Sequence, residues 1–175
     1  IELANYELKQ GLLTLGGKRG TERGIHEKIF TTICAIAKIG KGNKNGIIGK
    51  LLIGVTDKTE DALRVKALDN IDAHVVGLRS VVGVKREAEK LNISMEEYYR
   101  RFCDKLKQSN LSEPLKSQVI GLIDYNDFYG YGVIVITIPV MTSYSSYNGD
   151  IYYRSADNTK KATVIEAADI ATRFK

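Results

Sequence analysis

The run Leu51-Leu52-Ile53-Gly54-Val55 does most to limit what this chain can become. A continuous apolar stretch bounded by polar turns suits a strand covered on both faces. Ahead of it, Ile29, Ile33 and Ala37, with Phe30, Ala35 and Ile36, recur at helical spacing through residues 25–39. Gly40 follows as a left-handed cap. A helix returning through a loop into a buried strand calls for layers of helix on sheet.

The remaining chain alternates irregularly. Tyr6-Glu7-Leu8-Lys9 has the period of a half-buried strand. Residues 56–61 read as a polar turn. Ser94 with Glu97 forms a capping-box pair for a helix through Tyr98, Phe102 and Leu106 to about Gln108. Ser112-Glu113-Pro114 opens another element, with proline in its first turn. Residues 119–125 and 133–139 read as strands joined by a hairpin-like loop, and 151–154 as a further strand. Thr163 with Glu166 caps a last helix reaching Arg173. The expected class is α+β: a mixed sheet of about five to six strands flanked by helices. One domain, residues 1–175, accounts for the length, with a longer helical insertion over 58–117.

Composition excludes several classes. No apolar run nears the roughly 20 residues that cross a bilayer. Cys34 and Cys103 lie far apart, each in a helical pattern, so neither a disulfide framework nor a zinc cluster is expected, and a reducing cytoplasm is the default. His26 and His74 are too few for a histidine-rich metal site. The chain opens with Ile1, and its first residues are acidic and polar. That is no signal peptide, and it reads as a domain cut from a longer protein.

Charge is unevenly spread. Of a net +5, residues 9–50 carry +7: Lys9, Lys18, Arg19, Arg23, Lys28, Lys38, Lys41, Lys44 and Lys50 against Glu22 and Glu27. Basic, glycine-punctuated loops at 16–20 and 40–46 suit phosphate backbones, since each neutralised phosphate releases a counterion. They suit solvated, solubilising loops equally.

Glu7 and Lys9 share one face of their strand. Such a carboxylate can hold Mg²⁺ while the lysine stabilises charge on phosphate; the same tripeptide is also an ordinary exposed ion pair. Asp57, just past the buried strand, projects into a crevice or else forms its own turn. Glu2 is an odd number of residues from Glu7, so joint metal binding by both needs a bend between them. Three carboxylates without histidine favour Mg²⁺ or Mn²⁺. Neither Gly16-Gly17-Lys18 nor Gly40-Lys41-Gly42 has the context of a nucleotide-binding loop. Late tyrosines, among them Tyr152 and Tyr153 before Arg154, suit stacking on unpaired bases or ordinary strand packing.

Five segments in order carry a resemblance: Glu2-x₄-Glu7-Leu8-Lys9, Thr32-Ile33-Cys34-Ala35-Ile36-Ala37, Leu52-Ile53-Gly54-Val55-Thr56-Asp57, residues 133–139, and Tyr152-Tyr153-Arg154-Ser155-Ala156-Asp157-Asn158-Thr159. Together they resemble the Schlafen AlbA-like domain family over nearly the whole chain. The resemblance implies an α+β domain that interacts with nucleic acid, RNA favoured over DNA. In its catalytic form it implies a divalent-metal-dependent endoribonuclease, with Glu2, Glu7 and Asp57 as Mg²⁺ or Mn²⁺ ligands and Lys9 as electrostatic helper. Lys18, Arg19, Lys41, Lys44, Lys50, Tyr153 and Arg154 are the expected nucleic-acid contacts. The alternatives are a non-catalytic DNA- or RNA-binding or dimerisation module of a larger bacterial protein, and a protein-binding module. The chain departs from the family where Lys38-Ile39-Gly40 stands in place of Asn and a Gly-Gly pair, in an extra basic loop through Gly46, and in the length of 58–117.

Overall fold

The computed structural model describes residues 5–16, 18–21, 24–37 and 48–172. It is a mixed α+β architecture, as the sequence suggests. Its largest sheet has four strands in the order β1-β2-β7-β6. These are β1 (Tyr6–Lys9), β2 (Gly49–Ile53), β6 (Asp124–Asn126) and β7 (Val133–Ile138). β1 runs parallel to β2, pairing Glu7 with Leu51 and Lys9 with Ile53; the other contacts are antiparallel. The expected single sheet of five to six strands is instead divided. Among the described residues, β3 (Val55–Thr56), β5 (Arg79–Val81) and β4 (His74–Val76) form a second sheet in that order, and β8 (Tyr152–Ser155) pairs with β9 (Asn158–Lys161).

The division begins at Gly54. Its φ is +109°, and a Cβ there would come 3.1 Å from Gly132 O and from Gly83 Cα. Only glycine fits so sharp a corner between other backbones. The apolar run 51–55 therefore ends one strand and starts another in a different sheet. Nor is β2 covered on both faces: Gly49, Leu51 and Ile53 are buried, while Lys50 and Leu52 are half-buried.

Leu51, Ile53, Ile134 and Ile136 pack into the main core with α1 (Ile25–Ala37). Ile29 and every later residue of α1 are buried, because the sheet covers one side and the β8–β9 hairpin the other. The expected stop at Gly40 lies outside the described residues. On the opposite sheet face, Leu8, Leu52 and Val135 meet Val55, Val81 and Val133 in a smaller cluster.

Two caps form as the sequence predicts. Ser94 Oγ accepts the Glu97 amide at 3.0 Å ahead of α4 (Met95–Gln108), whose Tyr98, Phe102 and Leu106 are buried. Thr163 and Glu166 exchange side-chain-to-amide bonds of 3.0 and 3.2 Å at the head of α6 (Val164–Thr172); Arg173 lies outside the described residues. Residues 119–122, expected as strand, belong instead to α5 (Leu115–Leu122). Leu115 and Val119, four apart, enter the core together, and only Asp124 onward pairs with β7. The stretch 58–117 holds α2 (Thr59–Asp69), α3 (Lys85–Lys90) and α4, and also the β4–β5 hairpin, so it is not purely helical. Among the described residues no helix is long and apolar enough to cross a membrane.

Candidate nucleic-acid interface

The loop after β1 is shaped by a buried polar cluster on α3. Glu87, fully buried, accepts the amides of Leu12 and Leu13 at 2.8 and 2.9 Å, and the Tyr98 hydroxyl. Burial pushes the Glu87 carboxyl up, against the pull of Arg86 and these donors. A Cβ at Gly11 would run into that carboxylate, so residue 11 must be glycine for the loop to close. Arg86 donates to the backbone oxygen of Gln10 at 2.7 Å and to Asp69 at 2.9 Å. Burial raises the Asp69 carboxyl, but hydrogen bonds from Arg19 and Arg86 outweigh it and hold it below the ordinary range.

The loop so fixed forms one wall of a cleft of about 450 Å³. Lys9 enters it from the end of β1, Lys28 from the first turns of α1, and Asp57, Lys58 and Asp61 from the β3–α2 junction. The Gly54 amide donates to Lys9 O at 2.7 Å, which brings the end of β1 beside β3. Thr56 Oγ1 accepts the Lys58 amide at 3.1 Å, turning the chain so that Asp57 and Lys58 are exposed on the rim. Among the described lining residues, three lysines stand with two carboxylates. Such an arrangement can hold a phosphate group while Asp57 and Asp61 limit how deeply it enters.

Two residues singled out in sequence, Lys9 and Asp57, thus share a cavity. Glu7 does not line it. Its Oε2 lies 3.4 Å from Arg154 Nη1, and the arginine side chain is only 1% exposed. Arg154 also donates to Tyr6 O at 3.0 Å and to Thr159 Oγ1 at 2.9 Å, and Thr159 in turn bonds Thr32 of α1. The group is an interior clamp fastening the β8–β9 hairpin to the edge strand and α1.

The other expected contacts are dispersed. Arg19 is bidentate to Asp69, at 2.6 and 3.1 Å. Lys18 is exposed. Lys50 donates to Thr137 Oγ1 at 2.8 Å, in the row it shares with Tyr6 on the sheet face away from α1. Tyr153 donates to Glu166 at 2.8 Å. Glu2, Lys41 and Lys44 lie outside the described residues. Sequence reasoning did not single out Lys58, which adjoins Asp57, or Lys28 within the helix. It also missed Arg79, whose guanidinium sits 4.4 Å from the Tyr6 ring centroid and bonds its hydroxyl at 2.8 Å. The pairing of β5 with β3, which lies against β1, brings that arginine to β1.

A divalent cation needs several oxygen ligands at one point. Among the described residues no group of three or more His, Cys, Asp or Glu side chains is placed to hold a metal. Glu7 is tied to Arg154, and Asp57 faces a cleft that Glu7 does not reach. Glu2, the third expected ligand, lies outside the described residues. Comparisons with protein-family models, with curated proteins and with solved structures found no match to this chain.

Proposed function

We propose that the domain binds nucleic acid, single-stranded RNA in preference to DNA, by seating backbone phosphates in the cleft of Lys9, Lys28 and Lys58. The convergence of these three lysines, from three separate chain segments, on one cavity carries the reading. The net charge of +5 supports it by drawing polyanions towards the surface. A cytoplasmic module of a larger protein is the setting that suits it, with a homodimer as one further arrangement.

The test is anisotropy of a labelled single-stranded RNA against salt. Each lysine that neutralises a phosphate adds about −0.7 to the slope of log affinity on log salt. Lys9→Ala with Lys58→Ala is expected to make the slope shallower by roughly 1.4. An unchanged slope overturns the cleft as the phosphate site. A stronger hold on the same sequence as duplex DNA overturns the preference for RNA.

Endoribonuclease activity is the second reading, favoured by one observation: Asp57 and Lys9 line the same cavity. Lys9 would stabilise charge developing on the phosphate. RNA incubated with Mg²⁺, with Mn²⁺ or with EDTA decides it. Intact RNA in all three leaves the domain a binding module.

A further inference from the structure

The loop between β6 and β7 holds two bulky aromatic residues where such residues rarely sit. Phe128 has φ +39° and Tyr129 φ +55°. Left-handed backbone is uncommon for large side chains, and it persists only where surroundings impose it. Here they do. Asn126 Oδ1 accepts the Phe128 amide at 2.9 Å, Asp127 Oδ2 accepts the Gly130 amide at 2.9 Å, and Asp127 O accepts the Gly132 amide at 2.8 Å.

The result is an aromatic ring presented outward. Tyr129 is 80% exposed, yet its ring lies flat on His74 of β4, with centroids 5.3 Å apart and planes 17° from parallel. His74 is itself steadied by the edge of Phe128 at 5.2 Å. Beside the pair is a cavity of about 390 Å³, lined among others by Lys85, Asp72 and Glu89. Arg86 reaches it too, but its guanidinium already serves Asp69 and Gln10.

The geometry points to a base-stacking platform: an unpaired nucleobase lies on the open face of Tyr129, with its polar edge turned to the cavity. A flat aromatic surface backed by a second ring suits a planar ligand. With Arg86 counted, the lining has two positive and two negative side chains, which suits a neutral heterocycle with donors and acceptors better than a bare anion or an aliphatic group. The inference deepens the nucleic-acid reading and rests on it. His74 pairs with Val81, and Val81 with Val55, so the platform and the phosphate cleft flank one small sheet. Their strands are two spacings apart, about 10 Å, which lets one strand of nucleic acid reach both.

The chain has no tryptophan, so Tyr129→Trp installs a single indole at the platform without reducing its area. Titration with a short oligoadenylate is expected to quench that indole, and ribose 5-phosphate to leave it unchanged. Quenching by adenosine 5′-monophosphate as well means the platform accepts a free nucleotide; quenching by the oligomer alone means it takes a base within a strand. Tyr129→Ala is expected to weaken oligomer binding roughly 5- to 150-fold with no change in salt slope, since no charge is lost. Absence of quenching by either base-bearing probe, while the wild type still binds the oligomer by anisotropy, overturns the platform and leaves the phosphate cleft standing. Absence of both quenching and wild-type binding overturns the two together.

Discussion

Arg154 and Glu7, far apart in sequence, form a pair in which the arginine is buried and the carboxylate about one-fifth exposed. Glu7 therefore serves the join between the edge strand and the β8–β9 hairpin. Glu7→Gln keeps the shape and weakens the charge-assisted contact. Unfolding in urea is expected to show a loss of about 1–3 kcal/mol, with the slope on denaturant unchanged. A loss below about 0.5 kcal/mol, the usual surface value, would contradict the clamp.

Gly11→Ala places a methyl group against the Glu87 carboxylate. Forced into so tight a space, it is expected to cost about 1–3 kcal/mol and to loosen the cleft wall. Hydrogen exchange at the amides of Leu12 and Leu13 would quicken. Unaltered exchange there would mean that the loop holds its shape without Glu87.

Two groups contribute stability that acid removes. Burial and the nearby Lys105 lower the pKa of His26 below its ordinary 6.5, and the Arg19 and Arg86 bonds lower that of Asp69 below 3.8. In each case the unfolded chain binds the proton more readily. The stability from His26 is complete above 6.5 and is lost as pH falls through its folded value. That from Asp69 is lost in the same way below 3.8. Melting temperatures across pH are expected to fall in both windows. His26→Gln should flatten the first and Asp69→Asn the second; a first decline that persists in His26→Gln assigns it elsewhere.

The Asp57 carboxylate is exposed and has no hydrogen bond or ion pair among the described residues. Asp57→Asn is expected to leave stability within about 0.5 kcal/mol. RNA affinity in EDTA should rise slightly, because one charge that repels phosphate is gone. A marked fall in melting temperature would instead make Asp57 a structural turn residue.

Features set by neighbours in sequence were legible before any fold was known. The caps at Ser94 and Thr163 depend on a residue three positions on, so their pattern is local. Residues 119–122 were not, because a short apolar run packs equally well as helix or strand until its partners are fixed. Gly54 hides in the same way: it reads as one more small residue in an apolar run until Gly83 and Gly132 crowd it. At the candidate site, Lys9 and Asp57 were chosen by residue type, and strand pairing brought them together. The tie between Glu7 and Arg154 spans most of the chain, so no local pattern announces it.

The hold of Glu87 on the amides of Leu12 and Leu13 bears on how such a domain can be cut or recombined. Glu87 lies within 58–117, the stretch that reads in sequence as a longer helical insertion. Excising it would strip two buried amides of their acceptor and leave a gap at Gly11 shaped for a carboxylate that is no longer there. The first loop and the third helix are thus inherited as one unit. A chimera that took either from another protein would need to take both.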